Sequence, residues 1–196
     1  MKTTKAQTSF IIIPNKGKSF VTTDSLVTMR PTKAGLVEVI QILPIDTNMA
    51  EIGSYSGESA EIFLTSGKIQ KIICVDPWIA GYDITDPAAY QCSMRVVEAT
   101  FDERMKKYTN VIKLKMSSED ASKTIDDHSL DFVYIDGNHF YEFVKKDIEL
   151  WLPKIKKDGY IGGHDYWKKN NVVRAIHDTI GEPDKVFPYS SWIKKI

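Results

Sequence analysis

AEIGSYSGES, residues 50–59, decides how the rest of the chain is read. A short apolar run (Met49, Ala50, Ile52) carries one acid, Glu51, and then two glycines four apart, Gly53 and Gly57. That is the pattern of a buried strand turning sharply into a helix around something held at the turn. The same punctuation recurs downstream. KIICVD (71–76) is a β-branched run ending in Asp76, and VIKLKM (111–116) leads into Ser117, Ser118 and Glu119. DFVYID (131–136) ends in Asp136, and GYIGGHDY (159–166) reads as a strand that stops at His164 and Asp165. Helical patterns separate these runs, over 57–67 and over 93–108, where Ser93 is placed as a cap. A third covers 139–159, with Phe140, Phe143, Val144, Ile148, Trp151, Leu152 and Ile155 on one face and a kink or stop at Pro153. A fourth, over 171–181, stops at Gly181, and two short strands (KVF and SWIKKI) follow, joined by PYS as a hairpin.

Buried, non-alternating strands interleaved with helices argue for a parallel sheet wrapped on both faces. In such a sheet, ligands bind outside the carboxyl ends of the strands. The polar clusters at residues 51–57, 76, 117–119 with 136, and 164–165 therefore mark one edge as a site.

The whole chain sets bounds on that site. Its 196 residues suit one domain spanning 1–196. Residues 1–44 form an N-terminal arm and helix (Thr32 to Leu43 after Pro31), a candidate lid or dimer element, with an extra strand as the third alternative for residues 1–31. A homodimer is the assembly such an arm would serve. The 26 basic and 26 acidic residues cancel, so no nucleic-acid partner is expected, and Lys156–Lys157, Lys168–Lys169 and Lys194–Lys195 read as solvated edges. No apolar run nears the roughly 20 residues of a membrane span, and the N-terminus is too short in apolar residues for a signal peptide. Cys74 and Cys92 belong to no paired motif, which points to a reducing, cytoplasmic setting.

The turn after Ile52 invites a dinucleotide, whose fingerprint is GxGxxG. Here Gly53-Ser-Tyr-Ser-Gly57 lacks the middle glycine, and a carboxylate at Glu51 would repel a pyrophosphate while suiting an ammonium group. Asp76 follows Gly57 by 19 residues, where a carboxylate can accept the hydroxyls of a ribose. A ribose joined to a cationic head, with no phosphate, describes S-adenosylmethionine.

In that light AEIGSYSGES and ICVDPW resemble the first two motifs of class I S-adenosylmethionine-dependent methyltransferases, and KMSSEDA (115–121) resembles their adenine-side loop. DFVYIDGNHFYEFVKKDIELWLPKIKKDGYIGGHDYW (131–167) resembles the branch that includes macrocin-type sugar O-methyltransferases and cephalosporin hydroxylase-like proteins. The resemblance spans residues 45–196 and implies a Rossmann-like doubly wound α/β fold. Its sheet would be mostly parallel and seven-stranded, with a C-terminal antiparallel hairpin. It implies a cofactor site of Glu51, Gly53, Ser54, Gly57, Asp76, Ser118 and Glu119, completed by Tyr55, Ser56, Pro77, Trp78, Ser117 and Asp136. Tyr55 stands where the family often has glycine, which narrows the pocket near the methionine tail.

The resemblance also makes the strands ending in Asp136 and in His164 neighbours. Asp136, His164 and Asp165 then form a candidate site for Mg2+ or another divalent metal, since two carboxylates and an imidazole suit such an ion. His139 and Asp136 are the candidate catalytic residues, with His139 as general base. Metal-dependent relatives often carry an acid at the position of His164, and histidine there favours a softer metal or none. The plainer alternatives are Asp136 as a helix cap and His164 as a strand-end histidine. The long stretch 77–92 offers Trp78, Tyr82 and Tyr90, and Trp167 faces them, either to cover an acceptor or to fill a satellite core. The expected activity is O-methylation of a small, sugar-like hydroxyl compound. Two rivals stand: a nicotinamide-dependent oxidoreductase, and a catalytically silent S-adenosylmethionine-binding partner subunit.

Overall fold

A computed structural model of the chain describes residues 11–12, 20–22, 25–27, 33–84, 86, 92–167 and 170–196. Tyr90, Pro31, Thr32 and the Lys168–Lys169 pair lie outside the described residues. Three short strands, β1 (Ile11–Ile12), β2 (Phe20–Thr22) and β3 (Ser25–Val27), pair antiparallel in a sheet of their own. Helix α1 (Ala34–Ile42) follows and leads into β4 (Thr47–Ile52).

Strand β4 is central because all of its residues but Asn48 are buried. It pairs in parallel with β5 (Ile69–Val75) on one side and β7 (Leu130–Ile135) on the other. Beyond β5 lies β6 (Val111–Leu114), and beyond β7 lies β8 (Ile155–Gly163), both parallel to their neighbours. The hairpin of β9 (Lys185–Val186) and β10 (Trp192–Lys195) closes the sheet antiparallel to β8, giving the order β6-β5-β4-β7-β8-β10-β9. This is the expected mostly parallel seven-stranded sheet with its C-terminal hairpin.

Alternate residues of each strand feed two cores. Met49, Ile72, Phe132 and Tyr134 pack with α1, α2 (Glu58–Thr65) and α3 (Met94–Met105). Ala50, Ile73, Val133 and Ile161 pack on the other face with α4 (Ser118–Ser122), α5 (Tyr141–Trp151) and α6 (Asn171–Ile180). Helices thus cover both faces.

Local differences from the sequence reading have local causes. The expected helix over 139–159 is only α5. A 3-10 turn at Leu152–Lys154 surrounds Pro153, which cannot donate to the helix ladder, and Ile155 opens β8 opposite Leu130. Strand β8 therefore begins before 159 and ends at Gly163, with His164 directly after it. Phe143 is exposed rather than on the buried face of α5. Ser93 sits at the start of α3 but its side chain makes no capping bond, whereas Ser117 and Asn170 cap α4 and α6.

The chain leaves β4 for β5 on one side, and later returns to place β7 on the other. The tips of β4 and β7 thus flank a switch point, where a crevice forms. Gly53, just past β4, has φ 90°, and a Cβ there would stand 2.2 Å from the Asp136 carbonyl oxygen. Only glycine lets the two tips approach this closely. Gly53→Ala should cost about 2–4 kcal/mol in a denaturant unfolding titration. A loss under about 0.5 kcal/mol would contradict this tight apposition.

Candidate active site

The crevice opens into a cavity of about 560 Å³, a size that suits a nucleoside-sized ligand. Gly53, Ser54, Tyr55 and Ser56 form one wall, with Asp76 and Pro77 beside them. Ser118, Asp136, His139, His164 and Asp165 also line it. Gly57, Trp78, Ser117 and Glu119 do not, and Glu51 lies behind the wall.

Glu51 is the anomaly of this end. It is the penultimate residue of the central strand β4 and has no solvent exposure. Neither carboxylate oxygen has a hydrogen-bond partner, and the Ser54 hydroxyl near it has none either. Burial pushes the carboxyl up to about 7; the nearby Ser59 and Ser54 hydroxyls and Lys33 lower it in part, and Asp136 raises it. A buried, unpaired acid at a ligand turn is costly unless the ligand brings the missing donor.

Asp76 holds the adjoining loops together. One carboxylate oxygen accepts from the Tyr55 backbone N–H at 2.8 Å and the other from the Trp78 N–H at 2.7 Å. Each oxygen keeps a lone pair for a ligand hydroxyl. Burial raises its pKa despite these two bonds. Tyr55 and Trp78 both have positive φ, 44° and 47°, and the Trp78 indole donates to the Tyr55 carbonyl at 2.9 Å. Trp78 is buried against Phe101, so it braces the loop from behind instead of touching a ligand. Glu119 turns outward to pair with Lys146 at 2.6 Å, and Ser117 spends its hydroxyl on Asp120. Of that cluster only Ser118 faces the cavity.

The opposite end is a chain of alternating charges. Asp136 follows β7, with its carboxylate 3.7 Å from both Lys33 Nζ and His164 Nδ1. His164 Nδ1 lies 3.1 Å from Asp165 Oδ2, and the same oxygen is 2.8 Å from His139 Nε2. His139 Nδ1 and its backbone N–H both reach Asp83 Oδ2 at 2.8 Å. The Asp165 hydrogen bond, against burial and with help from Asp83, raises His139 to about 9. Burial works against ionising Asp165, but His139 and His164 hold it well below the usual carboxylate range. His164 is also raised: burial opposes its charge, and Asp165 and Asp136 outweigh it.

His139 is therefore a clamped imidazolium near neutral pH. A carboxylate oxygen lies 2.8 Å from each ring nitrogen, which favours the charged ring and speaks against His139 as the general base expected of it. Asp136 does not cap α5 either: its N-cap is Phe140, with no side-chain capping bond, and Asn138 accepts the Phe140 N–H at 2.9 Å in the turn just before it. Ligand atoms of Asp136, His164 and Asp165 all lie within 4.8 Å of one another, so their donor set has the spacing for a divalent ion.

The cavity residues missed in the sequence include Lys33, Asp83 and Asp147. Lys33 reaches in from the start of α1. Asp83 belongs to the loop after β5, which a second bond, Asn138 Nδ2 to the Tyr82 carbonyl at 2.7 Å, also ties down. Asp147 lies on the buried stripe of α5, where a carboxylate is out of pattern. Only this last left a sequence signal: an acid three residues after Val144 and four before Trp151.

A family model described as a methyltransferase domain matches residues 50–166. An uncharacterized protein of Acanthamoeba polyphaga mimivirus is 29% identical over 163 residues, 74% of this chain and 65% of its own length. A shorter match of 88 residues, 31% identical and covering 39% of this chain, reaches an uncharacterized protein of Sinorhizobium fredii. The chain spans 65% and 9% of the lengths of these curated relatives. Among solved structures, the O-methyltransferase NovP is similar at 16% identity and TM-score 0.60, over 84% of this chain and 77% of that one. A SAM-dependent methyltransferase from Aquifex aeolicus is similar at 14% identity and TM-score 0.58, over 85% and 92%. At these identities the likeness is one of fold. Among the described residues, no helix is long and apolar enough to cross a membrane.

The electrostatics of Glu51 give a signed pH dependence. Between its ordinary 4.5 and its folded value of about 7, the folded chain keeps a proton that the unfolded chain has released. Stability is thus lost as pH rises through that window, by roughly 3 kcal/mol. Glu51→Gln should remove this component, leaving the variant more stable than the wild-type chain at pH 8 and no more stable at pH 4. Parallel urea titrations at the two pH values check it, and equal wild-type and variant pH slopes would refute it.

Proposed function

This chain belongs to the methyltransferase-domain family, and we propose that it moves a methyl group from S-adenosylmethionine to a hydroxyl of a small, sugar-like acceptor. The observation that carries this reading is the orphaned carboxylate of Glu51 behind a glycine turn, with Asp76 at the next strand tip. A ligand with an ammonium at one end and a ribose diol beyond it would give Glu51 the partner it lacks and put hydroxyls on the lone pairs that Asp76 keeps. The acidic first turn of α2 (Glu58, Glu61) speaks against a pyrophosphate on that helix and so against a nicotinamide dinucleotide. The sugar-like acceptor is supported by the resemblance of residues 131–167 to sugar O-methyltransferases. Half-exposed Tyr82 and Trp167 at the cavity rim are a suitable apolar platform for it.

When bound, S-adenosylmethionine supplies a methyl group on a sulfonium, which an oxygen can attack in line as the carbon–sulfur bond breaks. The chain's part is to bind, align and exclude water. Glu51 and the Gly53 turn orient the donor's amino-acid end, and Asp76 its ribose. Asp136, beside Lys33 and His164, orients the acceptor hydroxyl. As the new carbon–oxygen bond forms, the hydroxyl proton becomes acidic enough for the Asp136 carboxylate to take. His139, fixed by Asp83, holds Asp165 and through it His164 in place. A divalent metal held by Asp136, His164 and Asp165 would lower the pKa of the acceptor hydroxyl.

Calorimetric titration tests the donor half. S-adenosylmethionine and S-adenosylhomocysteine should bind at micromolar concentration, and NAD should not bind. Asp76→Asn should weaken both by about tenfold, since a ribose hydroxyl bonded to a carboxylate is worth about 1.5–3 kcal/mol. Absence of binding by either methyl-cofactor form, or tighter binding of NAD, would overturn the proposal.

A further inference from the structure

Resting on the reading of Asp136, His164 and Asp165 as a candidate ion site, we infer that Lys33 is a resident cation that stands in for a divalent ion there and keeps the metal affinity of the three low. The argument begins with how Asp136 is held. Lys33 Nζ lies 3.7 Å from one of its carboxylate oxygens, and His164 Nδ1 lies 3.7 Å from the other. Both are ion-pair distances beyond hydrogen-bond range. Among the described residues, nothing hydrogen-bonds the Asp136 carboxylate. Elsewhere in the chain lysine–carboxylate pairs close fully, as Lys113 does on Glu98 at 2.8 Å and Lys146 on Glu119 at 2.6 Å. The charge of Asp136 is thus balanced at both oxygens while its lone pairs stay open to the cavity it lines.

Lys33 is itself unusually placed. A lysine ammonium normally reaches for water, and lysine is rarely buried unless it is tightly paired. This side chain is only 17% exposed, lines the cavity and makes no hydrogen bond among the described residues. The fold seats it there. Helix α1 packs on the turn at Pro188–Ser190 so closely that a Cβ on Gly35 would stand 2.2 Å from the Pro188 carbonyl oxygen. The same turn brings Ser190 Oγ to 3.4 Å from His164 Nε2. The start of α1 and the His164 ring therefore share one support, which sets a cation at each oxygen of Asp136.

A divalent ion on Asp136, His164 and Asp165 would bring two more positive charges beside the Lys33 ammonium. Either the lysine swings out or the ion binds against its repulsion, and both lower the ion's affinity. Lys33 meanwhile does part of an ion's work. An ammonium facing the acceptor oxygen favours loss of the hydroxyl proton, as a bound ion does, though less strongly. The acceptor end thus carries its own balancing cation.

Titration with Mn2+, with the free ion counted by electron paramagnetic resonance, tests this without an acceptor and without turnover. Wild-type protein should bind Mn2+ weakly, and Lys33→Met should bind it about tenfold tighter or more. Lys33→Gln serves should the methionine variant not fold, which a urea titration reveals. Lys33→Arg keeps the charge and should stay within about threefold of wild type. Adding Asp165→Asn to Lys33→Met should abolish the gain, because the ion loses a ligand. Equal affinity of wild type and Lys33→Met, or the same gain in Lys33→Arg, would overturn the inference and leave the three residues as an ion site. If no form binds Mn2+, the inference and the ion site fail together, and the donor reading, tested by its own titration, is untouched.

Discussion

A carboxylate without a hydrogen-bond partner, fully buried near the carboxyl end of the central strand, is the constraint around which this fold is arranged. Glu51 faces the side of the sheet that carries Met49, Cys74 and Tyr134, and the unfolded chain would leave it solvated and ionised. Keeping it there raises its proton affinity by more than two pH units, from 4.5 to about 7. No packing advantage accounts for an acid at that position. On the function proposed above, a cationic group arriving through the Gly53 turn would account for it. The backbone there is shaped for close approach, and Tyr55 of the same wall and Trp78 behind it are held at positive φ by Asp76. The donor end is thus strained and under-satisfied before any ligand arrives.

The other end of the cavity has the reverse character. From Asp83 through His139, Asp165 and His164 to Asp136 and Lys33, each charge already has an opposite neighbour. Such a network is stiff, because moving one member exposes another's charge. It gives the loop after β5 a fixed seat over the cavity and sets the protonation of the residues below it. One wall is therefore poised to gain bonds and the other to hold shape. That division suits a reaction in which one substrate must be gripped and the other only aimed.

The fold was largely legible because parallel strands buried on both faces read as continuous apolar runs, and each run here ends in a polar residue at the sheet edge. The misreading at residues 152–158 has a clear source. Ile155 continues the helical spacing of Ile148, Trp151 and Leu152, so local periodicity could not reveal that pairing with Leu130 claims it for a strand. At the site, Glu51, Gly53, Asp76, Asp136, His164 and Asp165 were visible because each sits at a strand tip. The state of His139 was not, since its partner Asp83 is 56 residues away in a loop with no periodicity. Trp78 and Glu119 were placed in the pocket by adjacency to Asp76 and Ser118. Side-chain direction decided otherwise: one turns into the core against Phe101, the other out to Lys146.

The claim on which the whole account turns is that a ligand's ammonium supplies what Glu51 lacks. Carbon-13 NMR of the Glu51 side-chain carboxyl, titrated against pH with and without saturating S-adenosylhomocysteine, measures this most directly. The account predicts a midpoint of about 7 in the free protein, falling below about 5 in the complex as the charged form gains a cationic partner. An ordinary midpoint near 4.5 in the free protein, or a raised midpoint that saturation leaves unmoved, would contradict it.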